Sequence, residues 1–482
     1  MTKNIDWQKV QEWDENYYVH LDVTKEEYQQ IPVERTEGDY LVLPDGTKLL
    51  DFFNQLYCVN SGQCNPEIQD AIKEAADRYG FVWEAFNTDY RAKAAKLIIE
   101  DILGKDSWAG KVSFTSSGSE AVEKALIIAK LYKNRPNIIT REHAYHGWTM
   151  GAAGATRLIG VRSGLAKGDS EEYRQVPGHP MAGYHVAPAP NCFNCSLGHT
   201  YPECKSCGEQ LPCVQQTESL IRTVGTDTVA AMITEPSFGA GSFHPPKEYL
   251  PQIRKMCTDL DILWICDEVL VGFGRMGTWF GHQQYGVTPD IMTMAKGLVS
   301  SALPAGGVVI SKEIAEFMDE WRWWTVSTFA AHPIAMAAVC ANLEYMIKND
   351  LPGMCKESGE YFGGKLRELE KKHKCVGSVT GAGMLWVVEI VKNKKTKERF
   401  APIDRHTMYS GEISMYPTKY ILSKTVEKGV LVGGFTPNTL RIGASLNVSK
   451  EDMDKAIDAL DYAFSCLDEM CTDDEQKIIK SA

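Results

Sequence analysis

Between about residues 110 and 310 the sequence repeats one pattern, a short β-branched or apolar run followed by a stretch with helical spacing. The runs are KVSFT, NIIT, VAAMITEP, ILWICDEVL and DIMTMAKG. Strands that are apolar throughout and separated by helices belong to a mostly parallel sheet covered on both faces, because each parallel connection needs a crossover long enough to hold a helix. The region is therefore read as α/β. The last third differs, with helices around residues 311–348 and 351–373, strands within SVTGAGMLWVVEIV and GVLVG, and a closing amphipathic helix after Val448. That is the pattern of a smaller α+β domain. The first fifty residues bring Trp7, Trp13, Tyr17, Tyr18 and a strand–turn–strand candidate in DYLVLPDGTKLLDF, with Pro44-Asp45-Gly46 as turn chemistry. These readings divide the chain into an N-terminal segment, 1–60, packing with the small domain, a large domain, 61–330, with a Cys-rich insertion at 190–214, and a small domain, 331–482.

Composition removes several functions. A net charge of -12 over 482 residues disfavours nucleic acid and anionic membranes, which need clustered Lys and Arg. The opening MTKNIDWQKVQEWDENYYVH has neither the basic flank nor the apolar run of a signal peptide, and no stretch approaches the ~20 apolar residues of a membrane span. A cytoplasmic protein is expected. Of the 14 cysteines, nine lie in apolar or helical contexts such as Cys266 in LWICDE, where a reduced buried thiol is the default, so few or no disulfides are expected.

The segment SFTSSGSEAVEKALIIAK places Ser116-Ser117-Gly118-Ser119 between a strand and a helix, with Ser117 and Glu120 spaced as a capping box. Helix-start N–H groups and the helix dipole make such a junction an anion site, although a plain capped helix has the same signature. Two later residues add chemistry: Asp267 ends the run ILWIC, and Lys296 follows IMTMA. Both emerge at carboxyl ends of sheet strands, where ligands bind in open α/β sheets. A phosphorylated aldehyde cofactor needs an amine to form a Schiff base, a carboxylate to keep its pyridine nitrogen protonated, and a dipole-rich cradle. Lys296, Asp267 and Ser117 to Ser119 offer those parts.

Five motifs in register, SSGSEAVEKALIIAK, AYHGWT, Glu235-Pro236, DEVLVGFGRMGTWFGHQQYGVTPDIMTMAKGL and TFAAHPIA, give the chain a resemblance to class III pyridoxal-phosphate-dependent aminotransferases from about residue 30 to 465. The resemblance implies a fold-type-I transferase that binds pyridoxal 5'-phosphate. It makes Lys296 the Schiff-base lysine, Asp267 the pyridinium partner, Ser117, Gly118 and Ser119 the phosphate cradle, Tyr145 the aromatic on the ring with His146 beside it, and Val269 the contact on the opposite face. Glu235 resembles an acid that supports cofactor and substrate. Thr328 resembles a residue that reaches the cofactor phosphate of a neighbouring subunit, which implies a homodimer or dimer of dimers with shared active sites. The freed lysine would carry a proton as general acid and base while an amino group passes from an amine donor to an oxo acid in ping-pong order.

Other motifs point elsewhere and fit less well. Gly272-Phe-Gly274-Arg-Met-Gly277 matches the dinucleotide fingerprint, but the Gly-rich TWFGHQQYGVTPD follows where a helix is required. Nor does a G-x-x-x-x-G-K-[ST] sequence exist to partner Asp267-Glu268. In CFNCSLGHTYPECKSCGEQLPC, Cys192, Cys195, Cys204 and Cys207 have spacing acceptable for a structural zinc, without the open position of a catalytic metal; reduced surface thiols are the alternative. A metal-binding interaction protein built on this loop is the distant second class, since it leaves Lys296 and Asp267 unexplained.

For substrate, the family commonly sets an arginine like Arg441, in TLRIGASLNV, against the α-carboxylate, and a guanidinium fork also suits a sulfonate. Ala240 stands where relatives using glutamate keep a glutamate, Trp148 where dicarboxylate binders have an arginine, and Leu270 where a glutamine is usual. Tyr57, Trp83 and Trp148 are the expected pocket walls. Taurine, β-alanine and γ-aminobutyrate are candidate donors, with 2-oxoglutarate or pyruvate as acceptor. The alternatives in the class are an aminomutase, a decarboxylating aminotransferase and a phospho-lyase.

Overall fold

The computed structural model describes residues 5–20, 30–157, 164–166, 173–175, 181–207, 210–239, 241–401 and 416–472. The apolar runs form a seven-stranded sheet ordered Ala109–Thr115, Gly306–Ser311, Ile291–Met294, Leu263–Asp267, Val229–Thr234, Asn137–Arg141 and Tyr184–Ala187. Leu263–Asp267 and Val229–Thr234 are buried at every position, which is why they read as unbroken apolar runs. Alternate residues serve opposite faces. Ile138, Ile233 and Ile265 pack with Val122 and Leu126 of the helix Gly118–Lys133, whereas Ile139, Met232 and Trp264 pack with Val214 and Ile253 of the helices Pro212–Val224 and Tyr249–Asp259. Each such aliphatic side chain contributes roughly 1.5–3 kcal/mol by its burial. Trp264 enters the core without an orphaned donor, because its indole N–H reaches Thr234 Oγ1 at 2.7 Å.

The sequence pattern does not announce the strand Gly306–Ser311, which runs antiparallel to both neighbours while the remaining pairs are parallel. Its two leading glycines are poor strand residues, but they have a steric reason. A Cβ on Gly306 would lie 2.5 Å from the Ser117 carbonyl oxygen, and one on Gly307 would lie 2.8 Å from Met294 Cε. The strand is thus pressed directly beneath the turn that follows Thr115.

A second seven-stranded sheet has the order Arg35–Glu37, Tyr40–Val42, Lys48–Phe52, Val430–Thr436, Thr439–Ile442, Leu385–Ile390 and Val376–Ala382. The expected hairpin pairs Leu41 with Leu49, and Asp45 Oδ1 accepts from Thr47 N at 2.9 Å in its turn. Lys48–Phe52 pairs in parallel with Val430–Thr436, so N-terminal and C-terminal residues share this sheet. The helical stretch read at 311–348 is two helices, Lys312–Asp319 and Pro333–Lys348, because Pro333 is tolerated only in a first turn. Leu351–Lys372 and the closing helix Lys450–Asp468 follow. No described helix is long and apolar enough to cross a membrane.

The fingerprint-like glycines 272, 274 and 277 surround a fully buried arginine instead of a nucleotide helix. Arg275 donates to the Met384 carbonyl at 3.2 Å, to the Ala444 carbonyl, to Asn54 Oδ1 at 2.8 Å and to Asn60 Oδ1 at 2.6 Å. Arg275→Leu strands these buried acceptors at roughly 1–3 kcal/mol each, so denaturant unfolding is expected to show a loss of about 3 kcal/mol or more. A loss below about 1 kcal/mol would show that the loops close without it.

Candidate active site

Strand endings deliver the polar residues to one edge: Thr115 leads into Ser116 to Ser119, Arg141 into Tyr145 and His146, Thr234 into Glu235, and Met294 into Lys296, with Asp267 a strand terminus itself. Asp267 is buried and fully engaged. Its Oδ1 accepts from Thr293 Oγ1 at 2.8 Å and from Val269 N at 3.1 Å, while Oδ2 meets His146 Nδ1 at 2.6 Å. Burial alone would push this carboxyl up, but the hydrogen bond and charge of His146, with the Val269 and Thr293 donors, hold it below the usual carboxylate range. Asp267 therefore stays an anion able to receive a hydrogen bond from a protonated ring nitrogen.

Lys296 occupies left-handed backbone (φ 46°) at the start of the short turn Lys296–Val299, a conformation of order 1 kcal/mol or more above the right-handed one for such a residue. Burial pushes its amine below the ordinary lysine range, with the charge of Asp267 opposing. A larger share of neutral amine at neutral pH makes Lys296 both a nucleophile and a proton acceptor.

The anion cradle is built by close contacts. Ser117 Oγ accepts from Glu120 N at 3.2 Å, as a cap should, but the Glu120 carboxylate turns to Ser116, whose N and Oγ lie 2.8 and 2.6 Å away. A Cβ on Gly118 would come 2.9 Å from Val269 Cγ1 and 3.4 Å from Ala295 Cβ, and one on Gly147 would come within 2.4 Å of Ser119 Oγ. Gly118 is thereby set against both the residue before Lys296 and the residue two after Asp267. Tyr145, at the border of exposure, stands near enough to Asp267 for that charge, after burial, to push its hydroxyl up.

A buried lysine whose amine is pushed below its ordinary range, a fixed carboxylate and an N–H-rich helix start whose glycines leave no room for a side chain match the aldehyde, pyridine nitrogen and phosphate of pyridoxal phosphate. They define a pyridoxal-phosphate-dependent enzyme of fold type I. The chain belongs to the class-III aminotransferases, whose family model matches residues 23–464. It is 56% identical to an S-selective transaminase from Bacillus megaterium, with 96% of this chain and 99% of that one aligned at a TM-score of 0.91. A taurine:2-oxoglutarate aminotransferase from Bifidobacterium kashiwanohense, solved with pyridoxal phosphate and glutamate, is 28% identical over 97% of this chain and 99% of that one, with a TM-score of 0.87. The putrescine–pyruvate aminotransferase of Pseudomonas aeruginosa is 34% identical over 385 residues, 76% of this chain and 78% of that one. The protein is a pyridoxal-phosphate-dependent transaminase.

When bound, the cofactor supplies an aldehyde for amines to condense with and a protonated ring that draws electrons from the adjacent carbon. The chain does the rest. Ser117 to Ser119 would hold the anionic group, Asp267 would keep the ring nitrogen protonated, and Lys296 would carry the covalent attachment and, once released, could accept and return a proton.

Other expected residues fall at varied distances from this centre. His146 contacts the Asp267 carboxylate through Nδ1 at 2.6 Å, so its action on the centre is exerted through Asp267. Glu235 is buried, its Oε1 accepting from Gly239 N at 3.0 Å. Gly239 packs between Leu270, Glu235 and Arg441, and its carbonyl accepts from Arg441 Nη1. Tyr57 is completely buried, with its hydroxyl donating to the Arg441 carbonyl and the guanidinium 4.3 Å from its ring centre. As a pocket wall it acts through Arg441, since none of its own surface is open. Trp83 and Trp148 are exposed, at 45% and 76%, and Thr328 sits in an exposed turn. Ala240 lies outside the described residues. Thr293, which donates to Asp267 Oδ1, does not stand out by motif; a lone threonine inside IMTMA is the available signal for it.

The described cysteines are free thiols. Cys192, Cys195, Cys204 and Cys213 line one small cavity, while the Cys207 side chain lies outside the described residues. Burial pushes the Cys192 and Cys213 thiols up to about 12. Among the described residues only Cys266, Glu268 and His282 bring three ligand atoms within 4.8 Å, and there Glu268 already accepts from the His282 N and faces His282 Nδ1. The three described thiols of the expected zinc set are thus gathered but not drawn to ligand spacing.

Lys296→Ala is expected to lose covalent cofactor attachment and turnover while keeping the fold; borohydride trapping on another lysine would reassign the nucleophile. Gly118→Val, which forces Val269 aside, should weaken cofactor binding at least about tenfold in a titration of the apoprotein.

Proposed function

We propose that the enzyme takes its amino group from a small ω-amino acid or aminosulfonate of the taurine, β-alanine or γ-aminobutyrate type and passes it to pyruvate or 2-oxoglutarate. Arg441 carries this reading. Its strand, Thr439–Ile442, places a buried guanidinium beside Gly239, Glu235 and Leu270, and such a fork binds a carboxylate or sulfonate in bidentate fashion. The taurine:2-oxoglutarate relative supports an acidic donor, and the putrescine–pyruvate relative supports a second reading in which a plain amine is the donor and Arg441 serves the oxo acid alone. A cytoplasmic homodimer fits both readings. Trp321, Trp324 and Phe329 around Thr328, with Phe86 and Trp148, expose more aromatic surface than a monomer ordinarily leaves in water.

A charge-assisted fork is worth roughly 1.5–3 kcal/mol, or about ten- to a hundredfold. Arg441→Ala is therefore expected to weaken acidic substrates by that factor, with Arg441→Lys a partial rescue because a point charge lacks the planar fork. Separate measurement of the two half-reactions checks the assignment: an acidic donor and the oxo acid should both suffer, and a plain amine far less. Equal losses for plain amine and oxo acid would make Arg441 structural and send the search for the acid-binding group elsewhere.

A further inference from the structure

The backbone that carries Tyr57 is strained. Asn54, Gln55, Leu56 and Tyr57 are four successive residues in left-handed backbone, with φ of 47°, 47°, 70° and 60°. A side chain there crowds the following carbonyl, so non-glycine residues ordinarily adopt it one at a time. The turn persists because its surroundings over-determine it. Asp51 Oδ1 accepts from Phe53 N at 3.1 Å and from Asn54 N at 2.8 Å, and Asp51 Oδ2 accepts from Gln55 Nε2 at 2.9 Å. Asn54 closes the loop from within, donating to the Val59 carbonyl and accepting from Val59 N, both at 3.1 Å, and its Oδ1 also accepts from Arg275 Nη2 at 2.8 Å.

What this turn delivers is one aromatic ring. Leu56 is exposed, whereas Tyr57 is completely buried, with the Arg441 guanidinium carbon 4.3 Å from its ring centre. Burial pushes the Tyr57 hydroxyl up to about 12, with the Arg441 charge opposing, so it is a neutral donor, and it donates to the Arg441 carbonyl. The main chain and the guanidinium of Arg441 therefore both rest on the same side chain. Two glycines make the space for it. A Cβ on Gly433, which faces Arg441 across the strand pair, would lie 2.0 Å from the Tyr57 hydroxyl oxygen, and one on Gly443 would lie 3.3 Å from Tyr57 Cδ1. Farther out, Arg441 Nη1 donates to the Gly239 carbonyl. The ring and that carbonyl are both uncharged, so neither cancels the positive charge, yet between them a flexible side chain loses much of its rotamer freedom.

We propose that Tyr57 is a positioning residue for acid recognition: its ring, delivered by the left-handed turn Asn54–Tyr57, pre-sets the Arg441 guanidinium so that a substrate carboxylate or sulfonate meets a fork that is already ordered. A fork ordered in advance binds more tightly, because its freedom is not lost at the moment of binding. The proposal rests on Arg441 as the acid-binding group, the reading given above.

A double-mutant cycle in the holoenzyme tests it, with the two half-reactions measured separately for n-butylamine and for the accepted oxo acid, pyruvate or 2-oxoglutarate. Tyr57→Leu is expected to raise the KM of the oxo acid about tenfold, more than it changes kcat, and to affect n-butylamine far less. Tyr57→Phe keeps the ring and should recover most of the wild-type KM. In the Arg441→Ala background the Tyr57→Leu change should add little to the oxo-acid KM. Equal losses for amine and oxo acid in Tyr57→Leu, or a loss that persists undiminished in the Arg441→Ala background, overturn the proposal and make Tyr57 a packing residue. An Arg441→Ala single variant with the wild-type KM for the oxo acid overturns the acid-binding reading itself, and this proposal with it. If Tyr57→Leu does not fold, Gly433→Ala, whose Cβ displaces the Tyr57 hydroxyl, takes its place in the cycle with the same outcomes.

Discussion

The guanidinium of Arg275 ties together stretches of chain that also share one apolar core, in which Phe52, Phe273, Met384 and Ala444 are buried together. It reaches Asn54 and Asn60 from the N-terminal segment and the carbonyls of Met384 and Ala444 from the second sheet, all out of water. The reactive lysine depends on this. Asn60 also donates to the Phe273 carbonyl at 2.6 Å and lies so close to Gly297 that a Cβ there would sit 2.3 Å from its amide nitrogen. Asn342 donates to the Gly297 and Leu298 carbonyls at 2.9 and 3.0 Å, and Ser61 N binds Ser300 Oγ at 2.9 Å. Such a web over-determines the turn, which is how Lys296 can persist in left-handed backbone.

Burial acts with opposite sign on the two reacting charges, and the chain answers each differently. Among the described residues Lys296 has no ion-pair partner at hydrogen-bond distance, so desolvation lowers its proton affinity and favours the neutral, available amine. Asp267 receives three donors, and they outweigh the same desolvation. Two ionisable groups in one low-dielectric edge are thus driven toward neutral amine and ionised acid, the states the chemistry requires.

Much of this was legible in the sequence because it rests on local rules. Unbroken apolar runs gave the parallel strands, and their polar endings gave Asp267 and Lys296; the Ser-Gly-Ser junction is a helix start because a capping serine and a small residue are needed there. What was not legible depends on distant contacts. Gly306–Ser311 is a strand because Ser117 and Met294 leave no room for side chains, and nothing near it in the chain says so. Arg275 lay inside a run that imitates a nucleotide fingerprint, and its acceptors come from residues 54, 60, 384 and 444. In the Cys-rich loop the spacing along the chain gathers Cys192, Cys195 and Cys204 on one small cavity, and the Cys207 side chain lies outside the described residues.

The antiparallel insertion of Gly306–Ser311 also sets an order on assembly. Ala109–Thr115, the strand that launches the anion cradle, lies at the sheet edge and among the described residues pairs only with Gly306–Ser311, so that Ser113 faces Val308. During synthesis this strand must wait as an unpaired edge while the lysine-bearing strand and everything between are made. Pairings this far apart in sequence close slowly, because the loop entropy is lost before the contacts form. The central strands 229–234, 263–267 and 291–294 can associate first, and the cradle is completed last. A nascent or truncated chain ending before Gly306 would therefore carry Asp267 and Lys296 on formed strands yet have no anchored site for a phosphate, which makes cofactor capture a late event and a marker of a finished sheet.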